Sequence, residues 1–225
     1  MCGPADYMEE SLPSAGQGLP AGAAACYTRG MITDSDRQTI VHEIAPVWDA
    51  GSRVLVLGTM PSPKSRGAGF FYMHAQNRFW PVLFRVFGEE LKHGNADADV
   101  EKAIAERKDF LLRNGIALWD VLARCRISGA ADSTIRDAVP NDFSGILSGS
   151  HIRRVFCTGK TAFALWQKHC AARYEGRFGI TAECLPSTSP ANARWRTDGL
   201  VREYGRILGA VRSHLSAPDI QGTAH

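Results

Sequence analysis

The sequence predicts a single-domain α/β protein: a three-layer α/β/α fold whose central sheet has four parallel strands. Short apolar runs at residues 53–58, 116–119, 154–158 and 180–185 indicate four buried strands. Segments with helical apolar spacing separate these runs, and strands that alternate with helices form parallel sheets with both faces covered. The chain has 225 residues, which suffice for one sizeable core.

The two ends of the chain are predicted to lie outside this domain. Residues 1–30 are rich in Gly, Ala and Pro and lack apolar periodicity, which predicts a disordered N-terminal extension. The folded domain is expected over residues 31–215, and residues 216–225 are expected to form a flexible tail.

Helices are expected to cover both faces of the sheet. The first spans residues 77–87, because its apolar residues recur at helical spacing and Pro81 falls in the first turn. The second spans residues 99–113 and ends at Asn114 and Gly115, a pair typical of helix C-termini. A short helix that ends at residue 147 and two longer ones, at 159–174 and 197–215, complete the set.

Charge and cysteine content limit the classes of function. Residues 151–225 hold 11 Lys and Arg against 5 Asp and Glu, although the net charge of the whole chain is only +3. A basic region of this kind suits a polyanion such as nucleic acid. The six cysteines are scattered, without the spacing of a zinc site or an iron–sulfur cluster. We therefore expect no metal and no cofactor.

The apolar runs are too short for a membrane protein, since none approaches the roughly 20 residues that a spanning helix needs. With the dispersed cysteines, this predicts a cytoplasmic monomer, in the bacterial cytosol or nucleoid, without a membrane partner. The sequence also lacks a Gly-x-Ser-x-Gly motif, which argues against an esterase that uses Ser189 and a histidine.

Two loops rich in Ser, Thr and Pro follow predicted strands. The first loop, residues 58–65, is Gly-Thr-Met-Pro-Ser-Pro-Lys-Ser, and the second loop, residues 185–192, is Leu-Pro-Ser-Thr-Ser-Pro-Ala-Asn. Ligands of open α/β sheets bind at the carboxyl ends of the strands. We expect the amides of the first loop to surround a base or sugar. We expect Ser187 and Ser189 to donate to phosphates, with Asn192 reaching a base or the backbone. The alternative for the first loop is a rigid strand-to-helix turn, and the alternative for the second loop is the entry to a helix.

Charged residues beside these loops add further candidates. Arg194 and Arg196 lie just beyond the second loop and are expected to contact phosphates, whereas most other basic residues of this region are expected on solvated helix faces. Asp120 follows the predicted strand at 116–119. It could read the edge of a base, or it could pair with Arg124 or Arg136.

An aromatic and amide-rich segment, residues 70–80, lies between the two loops and is suited to a flat ring. Tyr72 precedes the predicted helix, where its ring could stack on a base, a contact worth about 1–3 kcal/mol. Asn77 could orient a water or read a base edge, or it could cap the helix, which spacing alone favours. His74 could be a general acid or a hydrogen-bonded loop residue.

Three motifs, taken in order, resemble the uracil-DNA glycosylase superfamily. They are the first loop, His-Ala-Gln-Asn-Arg-Phe-Trp-Pro at residues 74–81, and Ser-Thr-Ser-Pro-Ala-Asn at residues 187–192. The resemblance covers roughly residues 40–215 and is strongest to the hypoxanthine (deoxyinosine) DNA glycosylase branch. It implies a three-layer fold with a four-stranded parallel sheet. It also implies monofunctional cleavage of the N-glycosidic bond, which releases a deaminated base and leaves an abasic site.

The resemblance assigns roles to the positions that match. Many relatives place Asp or Asn in the first motif to activate water, whereas Thr59, Met60 and Ser62 stand here. Asn77 is the family's candidate to compensate, and Tyr72 falls where relatives stack an aromatic ring on the flipped base.

The resemblance extends to the second loop and to the end of the strand at 116–119. Ser189 matches the serine that helps to grip the DNA backbone, and Ala191 falls where relatives often carry an intercalating leucine. Ser187 occupies a position that is often His or Asn. Asp120 matches a position where uracil-specific relatives carry a base-reading Asn.

These inferences combine into one expected function. The protein is expected to be a DNA glycosylase of base excision repair that flips out and hydrolytically releases a deaminated base, hypoxanthine or uracil or both, from DNA. The alternative is a catalytically weak module of the same fold that binds DNA lesions. The expected catalytic residues are Asn77, Ser62 and His74, the base-binding residues are Gly58, Thr59, Met60, Tyr72 and Asp120, and the DNA-binding residues are Lys64, Ser187, Ser189, Asn192 and Arg194.

Overall fold

The computed structural model describes residues 37–95, 98–128 and 132–215. The predicted extension at 1–30 and the predicted tail at 216–225 lie outside these residues. The strands are β1 (Gln38–Val41), β2 (Val54–Gly58), β3 (Ile116–Asp120), β4 (Leu122–Ile127), β5 (Arg136–Pro140), β6 (Arg154–Thr158) and β7 (Thr181–Leu185). The helices are α1 (Pro63–Ala68), α2 (Phe79–Phe87), α3 (Val100–Arg113), α4 (Ser144–Ser148), α5 (Lys160–His169), α6 (Ala171–Phe178) and α7 (Thr197–Leu215).

The centre of the fold is a parallel sheet in the order β3-β2-β6-β7. Every residue of β2 is buried, as expected for a strand covered on both faces. Val54 and Val56 of β2 pack into one apolar cluster, and Leu55 and Leu57 pack into a second cluster on the opposite face. The structure confirms the predicted four-stranded parallel sheet.

Helices cover both faces of this sheet and complete three layers. The cluster around Val56 contains residues of α2, α3 and α7, whereas the cluster around Leu55 contains residues of α4, α5 and α6. Helix α2 contributes Phe79 and Trp80, which are fully buried, in agreement with the predicted apolar face. The described residues all fall within one compact unit, Thr33–His225.

A second, antiparallel sheet in the order β1-β4-β5 was not expected from the sequence. Its central strand, β4, follows directly from the end of β3 across Val121. The sheet packs on the Leu55 face through Leu122, Cys125 and Ile127. Its position matters because it places β1, and the residue after it, behind the carboxyl end of β3.

Two helical segments also differ from the predictions. Helix α1 begins inside the first loop, at Pro63, and continues to Ala68, so the strand-to-helix alternative is correct for this segment. The single helix expected over 159–174 is two helices, α5 and α6, separated at Cys170. Among the described helices, none is both long enough and apolar enough to cross a membrane.

Candidate functional site

One cavity of about 430 Å³ opens at the carboxyl ends of the parallel strands, a size typical of small-ligand sites. Tyr72, Asn77 and Ser189 share its wall, so the three sequence motifs meet at one place. The site residues expected from the sequence that line it are Gly58, Thr59, Met60, Ser62, Tyr72, Asn77, Asp120, Ser187, Ser189 and Asn192.

The first loop turns from β2 into α1 within a few residues. Ser62 is the N-cap of α1: its Oγ accepts a hydrogen bond from the Ser65 amide at 3.2 Å, and Pro63 occupies the first turn. Both features favour a helix start. Residues of the first loop itself therefore stabilise the start of α1, and Ser62 has a structural role at the cavity wall.

A carboxylate from outside the three motifs reaches the first loop. Thr59, which is buried, donates through Oγ1 to Oδ2 of Asp132 at 2.9 Å. The other oxygen of Asp132 has no hydrogen-bond partner among the described residues, and Asp132 lines the cavity. Burial raises the pKa of the Asp132 carboxyl, the Thr59 bond lowers it, and the charge of Asp120 raises it.

Asp120 lies at the end of β3 and is held from behind by His42. Nε2 of His42 lies 2.9 Å from Oδ2 of Asp120, and the two side chains are 0% and 5% exposed. The Asp120–arginine pairing considered from the sequence does not occur among the described residues. Burial raises the pKa of the Asp120 carboxyl, whereas the hydrogen bond and charge of His42 lower it.

Gly58 lets these groups approach the end of β2. A Cβ atom at this position would lie 2.2 Å from Oδ1 of Asp120 and 2.9 Å from Oη of Tyr72. No side chain fits there without displacing both groups. The absence of a side chain thus keeps the carboxylate oxygen and the phenol close to the backbone of the first loop.

The side chain of Tyr72 is held by a stacking contact on its ring and by a hydrogen bond at its hydroxyl. The ring stacks on Phe79 with centroids 3.9 Å apart. Its hydroxyl bonds Oγ1 of Thr158 at 2.8 Å, and Thr158 donates to the Leu57 carbonyl, so the tyrosine is the donor. Burial raises the pKa of Tyr72 well above its ordinary value. The residue adopts φ of 56°, a conformation that is rare for bulky side chains and that often marks functional sites.

The amide oxygen of Asn77 is fully used. Oδ1 accepts from the Phe79 amide and from Oγ1 of Thr188, both at 2.9 Å, which saturates the two lone pairs of an amide oxygen. The bond to Phe79 resembles the helix cap that spacing favoured, although the residue at the cap position is Arg78. Nδ2 has no hydrogen-bond partner among the described residues, so Asn77 offers the cavity a donor.

Arg78 holds the second loop. Its guanidinium donates to the carbonyls of Thr188, Ser189, Asn192 and Trp195. Arginine presents several donors in a rigid fork, which suits this set of carbonyls. Arg78 lies at the N-terminus of α2, more than a hundred residues away in the chain, and it positions the second loop through these contacts.

The segment that carries Tyr72 and Asn77 is also held from outside. Nδ2 of Asn95 contacts the carbonyls of Tyr72, His74 and Asn77 within 3.2 Å. Oδ1 of the same Asn95 accepts from Arg107 at 2.8 Å, and Arg107 is fully buried. This pair fixes the backbone from which the two cavity residues project.

The serine hydroxyls of the second loop bond to the loop itself. Oγ of Ser187 accepts from the Ser189 amide, and Oγ of Ser189 accepts from the Ala191 amide. Nδ2 of Asn192 donates to the Ser187 carbonyl at 2.8 Å, which is the backbone contact considered for this residue. The loop is thus stiff before any ligand binds.

Three expected site residues lie outside the cavity wall: Lys64, His74 and Arg194. Lys64 and Arg194 are exposed, which is compatible with a contact to DNA outside the cavity. Nδ1 of His74 accepts from the Gln76 amide at 3.2 Å, which matches the loop-residue alternative rather than a general acid in the cavity.

The structure adds residues that sequence reasoning missed: His42, Arg78, Thr188 and Asp132. Arg78 and Thr188 were visible inside quoted motifs, and their proximity to Asn77 and Ser189 was an available signal. His42 and Asp132 carried none, because they reach the cavity only through the antiparallel sheet. Within the part of the chain that the structure describes, His, Cys, Asp and Glu side chains form no group of three or more that could hold a metal ion.

Comparison with known proteins identifies relatives. Residues 45–207 match the model of the Uracil DNA glycosylase superfamily. Two proteins named hypoxanthine DNA glycosylase, from Methanosarcina acetivorans and Methanosarcina barkeri, are 32% and 34% identical over 152 and 153 residues, which is 66% of this chain and 86% of each relative. A solution NMR structure from M. acetivorans, provisionally identified as a uracil DNA glycosylase, has a TM-score of 0.60 at 27% identity, over 78% of this chain and 99% of that one.

Proposed function

This chain belongs to the uracil DNA glycosylase superfamily, and we propose that it is a monofunctional DNA glycosylase that flips hypoxanthine out of DNA and releases it by hydrolysis. The observation that carries the proposal is the pair of polar groups in the cavity wall. Asp120, whose Oδ2 is held by His42, offers the acceptor Oδ1, and Asn77, whose oxygen is saturated, offers the donor Nδ2. The names of the two relatives support the same substrate.

This pair matches the edge that deamination creates. Adenine carries an acceptor at N1 and a donor amino group at C6. Deamination to hypoxanthine converts N1 to an N–H donor and C6 to a carbonyl acceptor. A carboxylate acceptor beside an amide donor fits hypoxanthine, and it meets adenine with like groups on both sides. Because the polar groups of the pocket would be left unpaired against adenine, the pocket should discriminate strongly against that base.

Uracil is the second candidate substrate, because its N3–H and O4 present the same donor and acceptor. The cavity of about 430 Å³ leaves room for either ring. Uracil is therefore assayed beside hypoxanthine.

Base flipping costs a few kcal/mol, which new contacts in the pocket must offset. Tyr72 is placed for this role, since Phe79 covers one face of its ring and the residue lines the cavity. We assign the other face of Tyr72 to stacking on the flipped base. The hydrogen bond of its hydroxyl and its rare backbone conformation fix the ring before DNA binds. The side chain of Tyr72 therefore loses little conformational entropy on binding.

Hydrolysis breaks the bond between C1′ of the sugar and N9 of the base, and the bonding electrons leave with the base. Negative charge then develops on the base, where a preorganised donor stabilises it. We assign Nδ2 of Asn77 to this position. A water molecule forms the new bond to C1′ and gives up a proton as it does so.

We assign Asp132 as the acceptor of that proton. Its carboxylate lies against Thr59, within the first motif, where relatives supply the Asp or Asn that this sequence lacks. One oxygen is held by Thr59 and the other is left for a water. Ser62, which caps α1, then shapes the motif rather than taking part in proton transfer.

The flanking DNA is assigned to the second loop and to exposed basic residues. Ser187, Ser189 and Asn192 present a rigid, hydroxyl-rich edge, and Lys64 and Arg194 are exposed. Phosphate contacts position a protein on DNA without reading sequence. Binding should therefore weaken as salt concentration rises, because each neutralised phosphate releases counterions.

The test is a single-turnover assay on duplex and single-stranded oligonucleotides that carry one hypoxanthine, uracil, xanthine or adenine. After incubation, alkali cleaves any abasic site. We expect cleavage at hypoxanthine and none at adenine. Retained affinity for the hypoxanthine duplex without any abasic product would instead identify the lesion-binding module, and cleavage at adenine equal to that at hypoxanthine would refute the recognition proposed here.

A further inference from the structure

We propose that His42 is a positioning residue that keeps Asp120 a hydrogen-bond acceptor, and so makes the pocket select a ring N–H over a ring nitrogen lone pair. This inference rests on the proposed function. His42 follows β1 and precedes residue 45, where the match to the superfamily model begins. The match to the superfamily model therefore does not include His42.

The burial of the pair fixes where the protons are. Nδ1 of His42 is buried and has no hydrogen-bond partner among the described residues. A proton on Nδ1 would be a buried donor without an acceptor, which costs more than an unused lone pair. In the neutral ring the proton is therefore assigned to Nε2, which donates to Oδ2 of Asp120. Nε2–H needs an acceptor, and this favours the ionised carboxylate.

Within the described part of the chain, the ring of His42 has one polar partner, Asp120. Its ring lies 6.0 Å from the ring of Phe71 and 6.1 Å from that of Trp119, centroid to centroid, and both are apolar neighbours. The side chain is fully buried. Its orientation is thus determined by packing and by Asp120, as a residue that orients a functional carboxylate requires.

Two other titratable groups face Asp120. Tyr72 has a pKa raised by burial and then by the charge of Asp120, and Asp132 has a pKa raised by burial and by the same charge. Neither carries positive charge, so neither favours ionisation of Asp120. Among the described residues, His42 is the group whose contact with Asp120 opposes the cost of burial.

Removal of His42 should therefore add a donor where the natural protein presents only acceptors. Without the Nε2–H, the buried Asp120 carboxyl becomes protonated at a higher pH, since burial alone raises its pKa. A protonated carboxyl can donate to N1 of adenine, and its remaining carbonyl oxygen accepts more weakly than a carboxylate from N1–H of hypoxanthine. The variant should lose preference, not merely affinity.

The experiment uses the full chain with His42→Leu, which removes the donor, and His42→Gln, whose Nε2 replaces it. His151→Leu, at an exposed histidine, is the matched control. The first readout is fluorescence anisotropy between pH 5 and 8 with duplexes that carry adenine or 2′-fluoroarabino-inosine, a nucleotide that resists glycosidic hydrolysis. The second is single-turnover release of hypoxanthine over the same range.

We expect His42→Leu to reduce the inosine-over-adenine binding preference at least tenfold and to move its loss on acidification upward by about one pH unit or more. His42→Gln and His151→Leu should keep the preference of the natural protein. A folded His42→Leu variant with unchanged preference would overturn the inference. An equal loss in His42→Leu and His42→Gln, without any shift along the pH axis, would also overturn it, because it would indicate packing alone.

Two further arms keep the outcome decisive. If His42→Leu does not fold, Asp120→Asn takes its place: the amide does not titrate, so the acid-side loss of preference must disappear, and its persistence would refute the role of Asp120. If the natural protein releases no base, the proposed glycosylase function fails on the second readout. The binding readout still tests His42, because it requires no turnover.

Discussion

The first and second loops each hold one functional side chain by the same contact, yet they leave it with opposite chemistry. Thr59 of the first loop donates to Asp132, and Thr188 of the second loop donates to Asn77, both at 2.9 Å. Among the described residues, one carboxylate oxygen of Asp132 has no hydrogen-bond partner and can accept a proton. The amide nitrogen of Asn77 likewise has no partner among those residues and can donate.

The difference explains how a first motif without Asp or Asn is compatible with hydrolysis. Thr59, Met60 and Ser62 stand in the first motif, and the hydroxyl of Thr59 holds the carboxylate of Asp132, from the connection between β4 and β5, beside that motif. Under the proposed function, the group that takes the proton and the motif that positions it lie in different segments of the chain. Four sets of substitutions test this comparison, from the largest expected effect to the smallest.

Asp132→Asn removes the proton acceptor of the first loop and keeps its shape. General-base catalysis contributes about 10²–10⁴-fold, so we expect single-turnover release of hypoxanthine to slow by that factor while DNA affinity changes little. Stopped-time alkali cleavage measures the rate. Asp137→Asn is the control, because Asp137 is an exposed residue at φ of 50°, where asparagine is well tolerated. A rate within threefold of the natural protein would remove Asp132 from the mechanism.

Asn77→Asp replaces the donor of the second-loop pair with an acceptor. An aspartate oxygen can still accept from the Phe79 amide and from Thr188, so the backbone should be preserved. Loss of one preorganised donor costs about 10²–10³-fold, and we expect base release to fall by that factor. Asn77→Ala should fall comparably. Near-normal release by either folded variant would show that the leaving base is stabilised elsewhere.

Arg78→Lys tests how the second loop is held. A lysine cannot present a fork to the carbonyls of Ser189, Asn192 and Trp195. Hydrogen bonds from charged groups contribute roughly 1.5–3 kcal/mol, and we expect the free energy of unfolding to drop by about 2–3 kcal/mol in urea titrations. Arg85→Lys, at an exposed position of α2 that pairs with Asp198, should change it by less than about 0.5 kcal/mol. Equal effects of the two would mean that the loop is rigid without Arg78.

Thr59→Val and Thr188→Val compare the two threonines directly. Each removes one hydrogen bond worth about 1 kcal/mol, so each should slow release several-fold. Their pH dependence should differ. The Thr59 bond lowers the pKa of Asp132, so its loss raises that pKa, and the acid limb of the rate profile should move to higher pH. Asn77 does not titrate, so Thr188→Val should leave the limb in place. Identical profiles would contradict the assignment of opposite roles.

The parallel sheet and the three motifs could be predicted because their signals are local. The run Val54–Gly58 is apolar throughout, and the capping Ser62 with Pro63 marks a turn within four residues. Helix α7 was predicted at its observed bounds for the same reason, since its apolar face repeats over several turns. Apolar periodicity is set by neighbours in the chain, and it survives whatever the rest of the protein does.

The antiparallel sheet could not be predicted because its strands lack a clear alternating pattern. In β4, Leu122, Cys125 and Ile127 are buried, a spacing that two register shifts against β5 interrupt. His42 and Asp132 depend on this sheet for their positions. Contacts such as Arg78 to Asn192, across 114 residues, are likewise invisible to a local pattern.

Strand β1 has a practical consequence for anyone who shortens this protein. A fragment cut to residues 45–207, the span of the superfamily match, would contain both loops and the whole parallel sheet. It would lack the neighbour that β4 has along Gln38–Val41, and an open strand edge invites aggregation. Such a fragment would also lack His42, whose imidazole contacts Asp120. It would match the superfamily model over its full length and could still aggregate or, under the proposed function, lose its preference for the target base.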